Sequence, residues 1–202
     1  MWILYKRILD LAVSIVFSFL LLPIIGIIAC LVLFFDGFPV IFKQERMGRD
    51  WKKFNIYKFR TMRNDANKTN ILVTAKGDNR VTKLGYWLRR SKVDELPQLF
   101  NVMKGDMSIV GPRPEVYKYA ILVKEDYDEI LKVRPGITDY ASIQFRDEEL
   151  ILENEVDKEE AYIRKILPER VKLYKQYIVD SSLWTDIRII LNTILVIIRG
   201  NI

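Results

Sequence analysis

Residues 11–35, LAVSIVFSFLLLPIIGIIACLVLFF, carry no charge. The run is longer than the about 20 residues a helix needs to cross a bilayer core. A cleaved leader is a poor fit, because Asp36-Gly37-Phe38-Pro39 follows the run where a small-x-small cleavage site would stand. A retained membrane segment is the better reading. Its flanks constrain it further. Lys6 and Arg7 precede it and a dense basic window follows it. Positive charge marks the cytoplasmic side of a membrane segment, and here both ends claim that side. A helix that dips in, bends and returns satisfies both, whereas a kinked single span satisfies only one. Pro23, with Gly26 nearby, supplies the bend by deleting a backbone hydrogen bond, and Ser14 or Ser18 could satisfy a freed carbonyl. Asp10 at the mouth can pair with Lys6 or Arg7 and anchor the entry.

The basic window spans 43–63. Lys43, Arg46, Arg49, Lys52, Lys53, Lys58, Arg60 and Arg63 stand there against Glu45 and Asp50, which matches the net charge of +6 for all 202 residues. Such a window is either a solvated face or a site for an anionic partner, and its place beside the apolar run favours lipid or phosphate. Nucleic acid is disfavoured, because no reading helix accompanies the charge. The chain has no histidine and one cysteine, Cys30. That excludes histidine triads and disulfide frameworks and leaves a metal to oxygen ligands, which points to Mg²⁺.

The length suits one compact domain plus an appendage, so 1–38 is read as the membrane helix with its entry and 39–202 as the cytosolic or interfacial domain. VIFKQERMG and KKFNIYKFRTM alternate apolar and polar residues around Gly48-Arg49-Asp50, the pattern of a hairpin. Residues 64–80 read as a loop. RVTKLGYWLRR predicts a helix with Val81, Leu84, Trp87 and Leu88 on one face. In SKVDELPQLFNVMKG, Val93, Leu96, Phe100 and Met103 recur at helical spacing. Asp94 as N-cap would place Pro97 in the first turn, and Gly105 would close the helix. Glu115–Leu131 and Asp157–Tyr177 are expected to be helical, with Pro168 at a helix start. ITDYASIQF is expected to be a short strand, and SLWTDIRIILNTILVIIRG an amphipathic helix on the membrane or the domain.

Two constellations carry chemistry. Asp94 and Glu95 are adjacent carboxylates. Asp94 is accounted for as a helix cap alone, yet a helix N-terminus and the nearby Arg89 and Arg90 would also keep it ionised. An ionised, positioned carboxylate can be a nucleophile toward phosphorus or a Mg²⁺ ligand, with Glu95 as second ligand or general base. Pro112-Arg113-Pro114 is either a turn or a stiff mount for a phosphate-binding guanidinium. Lys58 and Arg60 would face one way on a strand.

These segments, in order, resemble the bacterial sugar transferase family, the monotopic phosphoglycosyl transferases. The likeness rests on KR and D before the apolar run, FKQERMG, YKFRTM, LRRSKVDELPQLFNVMKGDMSIVGPRP and VRPGIT, and covers about residues 4–140. The resemblance implies a helix-rich α/β (α+β) fold: a re-entrant membrane helix, a small cytosolic domain with a short β-hairpin, and amphipathic interfacial helices. It implies transfer of a sugar 1-phosphate from a UDP-sugar to undecaprenyl phosphate, with Mg²⁺ and release of UMP. The transfer would pass through a phosphosugar on Asp94 with Glu95 as its partner, initiating glycan or polysaccharide assembly. Arg113, mounted between Pro112 and Pro114, and Arg89 would bind nucleotide or phosphate, and Lys58 and Arg60 match the basic strand motif. Localisation would be the bacterial cytoplasmic membrane, in contact with lipid, with the catalytic domain facing the cytoplasm. The form would be minimal in length, without the multi-span part of longer relatives, and a homodimer stays open. Two departures stand out. Leu22-Pro23 replaces the Ser-Pro of some members, and the sequence beyond about 140 leaves the family's TGWAQVNG pattern, so the donor sugar is open. Direct transfer in a ternary complex and a non-enzymatic membrane-anchored interaction module are the competing readings.

Overall fold

The computed structural model describes residues 2–63 and 73–199. One helix, α1 (Trp2–Asp36), holds the whole apolar run with Pro23 inside it. It is the one described helix long and apolar enough to cross a membrane. Its middle is largely exposed, with Phe19, Leu20 and Leu22 all outward. Gly37, at φ +78, ends it by donating to the carbonyls of Val32 (3.0 Å) and Leu33 (3.1 Å). The Ser14 hydroxyl donates to Leu11 O (3.0 Å), within its own turn, so it does not serve the carbonyl that Pro23 frees.

Both ends of α1 are fastened to the same domain. Near the start, Arg7 donates to Val102 O (2.7 Å) and Met103 O (3.1 Å), and Lys6 pairs with Asp186. Asp10 does not pair with those cations. It is buried and accepts from the Ser108 hydroxyl (2.7 Å) and the Ile109 amide (3.1 Å). At the far end Ile28 and Val32 pack with Phe59 and Leu88, and Thr82 donates to the Asp36 carboxylate (3.0 Å).

The hairpin forms as expected. β1 (Ile41–Met47) pairs antiparallel with β2 (Lys53–Phe59), from Ile41 opposite Phe59 to Met47 opposite Lys53. α2 (Lys83–Arg90) begins one residue after its cap, Thr82, whose hydroxyl accepts from Gly85 N (2.9 Å). Val81 therefore lies outside the helix and Trp87 faces outward, while Leu88 is buried. α2 lies so close to the preceding chain that a Cβ on Gly85 would stand 2.1 Å from Thr61 O. Of the expected 64–80 loop, 64–72 lie outside the described residues, and 73–80 form turns.

The dyad segment departs from its expected form. Lys92, at φ 58, breaks the chain direction, and Val93–Glu95 form a 3-10 turn. The next helix, α3 (Gln98–Lys104), starts after Pro97. Asp94 is thus not the N-cap, because the positive-φ residue and the proline place the start a turn later. α3 closes at Gly105 (φ +92) as expected. It buries Gln98, Asn101 and Val102, leaving Phe100 outward.

β3 (Ser108–Val110) and β4 (Gly136–Thr138) form a second, parallel pair. The expected helix 115–131 is broken into α4 (Tyr117–Ala120), a 3-10 turn, and α5 (Lys124–Ile130). Only the start of ITDYASIQF is a strand. Asp139 then caps α6 (Tyr140–Gln144), accepting from Ser142 N (2.5 Å), because an Asp with a free amide three residues on is a helix start. α7 (Glu148–Ile151), α8 (Lys158–Ala161) and α9 (Leu167–Asp180, with Pro168 in its first turn) follow. α10 (Leu183–Arg199) buries Asp186 and Ile189 against the domain and exposes Trp184, Leu191 and Ile198. The largest core cluster joins α5, α8, the segment after α8 and α9 through Tyr127, Ile130, Ala161, Tyr162, Leu167 and Tyr174.

Candidate active site

An open groove of about 2030 Å³ runs between the hairpin, α2, the dyad turn and the start of α7. Asp94, Glu95, Lys58, Arg89 and Arg113 all line it, and Phe17 and Leu21 of α1 reach its edge. The structure thereby brings together residues from four separate segments.

Glu95 sits between two cations. Lys58 Nζ donates to its Oε1 at 2.8 Å, and the Arg113 guanidinium grips both carboxylate oxygens, Nη1 to Oε2 at 3.2 Å. Burial alone would push the Glu95 carboxyl up. The charges and hydrogen bonds of Arg113 and Lys58 outweigh burial and hold it well below the usual carboxylate range. In turn Glu95 raises the Arg113 guanidinium, while burial lowers the Lys58 ammonium.

Asp94 is treated in the opposite way. Its side chain is buried and its Oδ1 has no hydrogen-bond partner. Burial first, and the Glu95 charge second, push it up to about 6, against the pull of Lys58, Arg89 and Lys92. The nearby cations, Arg89 among them, do pull Asp94 toward its ionised form, but desolvation outweighs them. Two neighbouring carboxylates driven apart in this way occupy distinct roles. Glu95 is a fixed counter-ion that orients Arg113, and Asp94 lines the groove with its Oδ1 buried and unpartnered.

Arg113 is mounted as its flanking prolines suggest, but the mount is tertiary. Its amide donates to Asp139 Oδ2 (3.0 Å), Pro112 O accepts from Gly136 N (2.9 Å), and Pro114 O accepts from Arg46 (3.3 Å). Arg89, in the last turn of α2, forks onto Glu149, its Nε 3.0 Å from Oε1.

Arg60 is not at the dyad. β2 ends at Phe59, so strand alternation no longer relates Arg60 to Lys58, and its guanidinium turns to the carbonyls of Asp36, Gly37 and Phe38 (2.6 Å to Phe38 O). It fastens the end of α1 to the hairpin. The basic window is likewise not one open face. Arg46 pairs with Glu115 (3.2 Å), Arg49 with Asp50 (3.1 Å), Lys53 with Glu45 (2.8 Å) and Lys58 with Glu95.

As for a metal, no cluster of three or more acidic or thiol side chains exists among the described residues. The unpartnered oxygen of Asp94 fits Mg²⁺, which keeps several waters and takes one or two carboxylates besides substrate phosphates. Glu95 fits less well, since Arg113 and Lys58 already engage both its oxygens.

Several supports were missed from sequence. Asn101 bridges α3 to β2, accepting from Tyr57 N (3.0 Å) and donating to Asn55 O (2.7 Å). Asp139 holds the Arg113 loop. Arg170 joins Glu148, Tyr162 and Glu115 in a buried network at the groove wall. Of these only Asp139 carried a local signal, its capping position.

The chain matches the bacterial sugar transferase family over residues 1–200. It belongs to that family. It is 37% identical over 196 residues to the undecaprenyl-phosphate glucose phosphotransferase of Komagataeibacter xylinus, covering 94% of this chain and 35% of the relative. It is 37% identical over 199 residues to the UDP-glucose:undecaprenyl-phosphate glucose-1-phosphate transferase of Escherichia coli K12, covering 95% and 39%. Identity is 32% over 204 residues, covering 96% and 44%, to an Aeromonas hydrophila UDP-N-acetylgalactosamine-undecaprenyl-phosphate N-acetylgalactosaminephosphotransferase. The chain thus spans about two fifths of the length of these curated relatives. The groove of this bacterial sugar transferase is lined by Lys58, Arg89 and Arg113 and by the Asp94–Glu95 pair.

Proposed function

We propose that this bacterial sugar transferase moves a sugar 1-phosphate from a UDP-sugar to undecaprenyl phosphate. The observation that carries the reading is the buried, unpartnered Oδ1 of Asp94 beside a Glu95 already clamped by Arg113 and Lys58. The Asp94 carboxylate attacks the phosphorus that bears the sugar. A carboxylate O–P bond forms, the bridging O–P bond breaks, and its electron pair leaves with UMP. An oxygen of undecaprenyl phosphate then attacks the same phosphorus and releases Asp94. Arg113, oriented by Glu95 and Asp139, and Arg89 meet the phosphate oxygens, where charge builds during transfer. When bound, Mg²⁺ supplies neutralisation of the diphosphate charge. Direct transfer with Glu95 as general base is less well supported, because a carboxylate gripped on both oxygens and held acidic is a poor base. Sugar follows the relatives only in class, since they differ between glucose and N-acetylgalactosamine.

The reading places α1 as a re-entrant helix with the domain on the cytoplasmic face of the membrane. A through-span would carry one end of α1 about 30 Å away, across the hydrocarbon. Lys6, Arg7 and Asp10 at one end and Asp36 at the other all bind the one domain, which supports a helix that returns. Pro23, in the exposed middle, is where a bend would fall. Phe17 and Leu21 at the groove edge then offer an apolar approach for the polyprenyl chain.

The test is incubation with a UDP-sugar panel labelled in the sugar phosphate, without acceptor. Label retained on wild type, with one equivalent of UMP released and neither seen in Asp94→Asn, supports the covalent route. UMP release that requires the lipid acceptor, with no label on the protein, would replace it with direct transfer.

A further inference from the structure

Five groove cations are already matched by a carboxylate in the free protein: Lys58 and Arg113 by Glu95, Arg46 by Glu115, Arg170 by Glu148, Arg89 by Glu149. A diphosphate that engages any of these five has to displace a resident anion or carry its own cation. The pairs are not equally costly to open. The side chain of Glu95 is 12% exposed and that of Glu115 5%, whereas that of Glu149 is 40% exposed. A carboxylate that swings from a half-open site back into water loses little solvation, while one released inside a buried pair stays desolvated.

The backbone around Glu149 is held on both sides. Glu148 binds Arg170, Leu152 is fully buried, and Glu149 O accepts from Lys76 N (3.1 Å). No residue of α7 itself is buried. The Glu149 side chain can therefore leave Arg89 by rotation alone, without moving the segment. Arg89 Nε and Nη2 both aim at the one Glu149 oxygen, the fork that a phosphate oxygen would otherwise occupy.

Resting on the transferase reading above, we propose that Glu149 is a displaceable counter-anion. It fills the Arg89 fork when the groove is empty, yields it to the donor's diphosphate, and returns to it as the nucleotide leaves. It is a positioning residue that sets nucleotide affinity, and it takes no part in bond making.

The test is calorimetric binding of UDP to the full chain and its variants. Glu149→Gln keeps the shape and removes the charge, and it is expected to tighten UDP about two- to fivefold, the range of a part-exposed ion pair. Product inhibition by UMP should tighten in parallel. In an Arg89→Gln background the same change should do nothing, because the fork it competes for is gone. Glu155→Gln, which opens a pair with Lys165 on the exposed surface, reports the effect of losing any negative charge and should leave affinity unchanged. Glu149→Ala is a second probe, and melting temperature confirms that each variant folds. Unchanged or weaker UDP binding by folded Glu149→Gln overturns the proposal, as does equal tightening with and without Arg89. Wild-type protein that binds no UDP and releases no UMP from any UDP-sugar overturns the transferase reading along with it.

Discussion

Asp94 and Glu95 are neighbours in sequence and opposites in environment, and the difference can be measured. Asp94 titrates at about 6. If its carboxylate is the nucleophile, kcat/KM for the donor should fall below about pH 6 and level off above it, and Asp94→Asn should lose all transfer. The same burial has a stability consequence of fixed sign. A carboxyl raised above its unfolded value favours the fold below the unfolded pKa and loses that contribution as pH rises through the folded one. Asp94→Asn should therefore raise the melting temperature at pH 8, with the gain shrinking below pH 6. Lower stability at both pH values would mean that Asp94 is a structural group. At Glu95 the expectation differs. Glu95→Gln leaves Arg113 and Lys58 facing each other uncompensated, so both stability and activity should drop. The sequence singled out Asp94, Glu95, Arg113 and Lys58, and the fold lines one groove with all four, but the upward push on Asp94 was not legible. Desolvation depends on what the fold lays over a side chain, which no local pattern records.

At the scale of elements, the site hangs on a few close backbone contacts. α2, which carries Arg89, rests directly on Thr61 through Gly85, where a Cβ would meet Thr61 O at 2.1 Å. Gly85→Ala must push α2 outward. It should lower the melting temperature, as overpacking of a tight contact costs about 1–3 kcal/mol, and raise the donor KM by displacing Arg89. Asp139 links two elements, capping α6 and accepting the Arg113 amide. Asp139→Ala should cost about 1–2 kcal/mol for the lost cap, with a fall in transfer beyond that of a control cap variant at Asp157, which caps α8 and does not line the groove. Unaltered transfer in folded Asp139→Ala would show that Arg113 needs no such mount. The hairpin, α10 and the Gly105 stop were legible because alternation, amphipathicity and glycine act within a few residues. The strand expected at ITDYASIQF was not, because its apolar spacing suits a helix equally and the capping bond of Asp139 decided.

For the whole molecule the question is how α1 lies in the membrane. If both its ends face the cytoplasm, cysteines placed at Tyr5 and Phe38 in a Cys30→Ala protein should resist an impermeant thiol reagent in intact cells. Both should react after lysis. Labelling of one site in intact cells would make α1 a through-span. The polar lock formed by Lys6, Asp186 and Tyr177, whose hydroxyl donates to Asp186 Oδ1 at 2.8 Å, ties α1 to α10. Removal of divalent ions with a chelator should abolish transfer, and Mg²⁺ should restore it. Transfer that persists after chelation would leave Arg89, Lys58 and Arg113 to carry the phosphate charge alone.

The sequence by itself determined the membrane segment, the hairpin, the carboxylate pair and the arginine between prolines, because each is written in residues close together along the chain. Tertiary structure decided the rest. It set Glu95 against Arg113 and Lys58, sent Arg60 to the end of α1, gave Arg89 to Glu149, and fastened both ends of α1 to one domain. Those outcomes depend on burial and on partners tens of residues away, and charge pairing in a folded groove follows distance in space rather than distance along the chain.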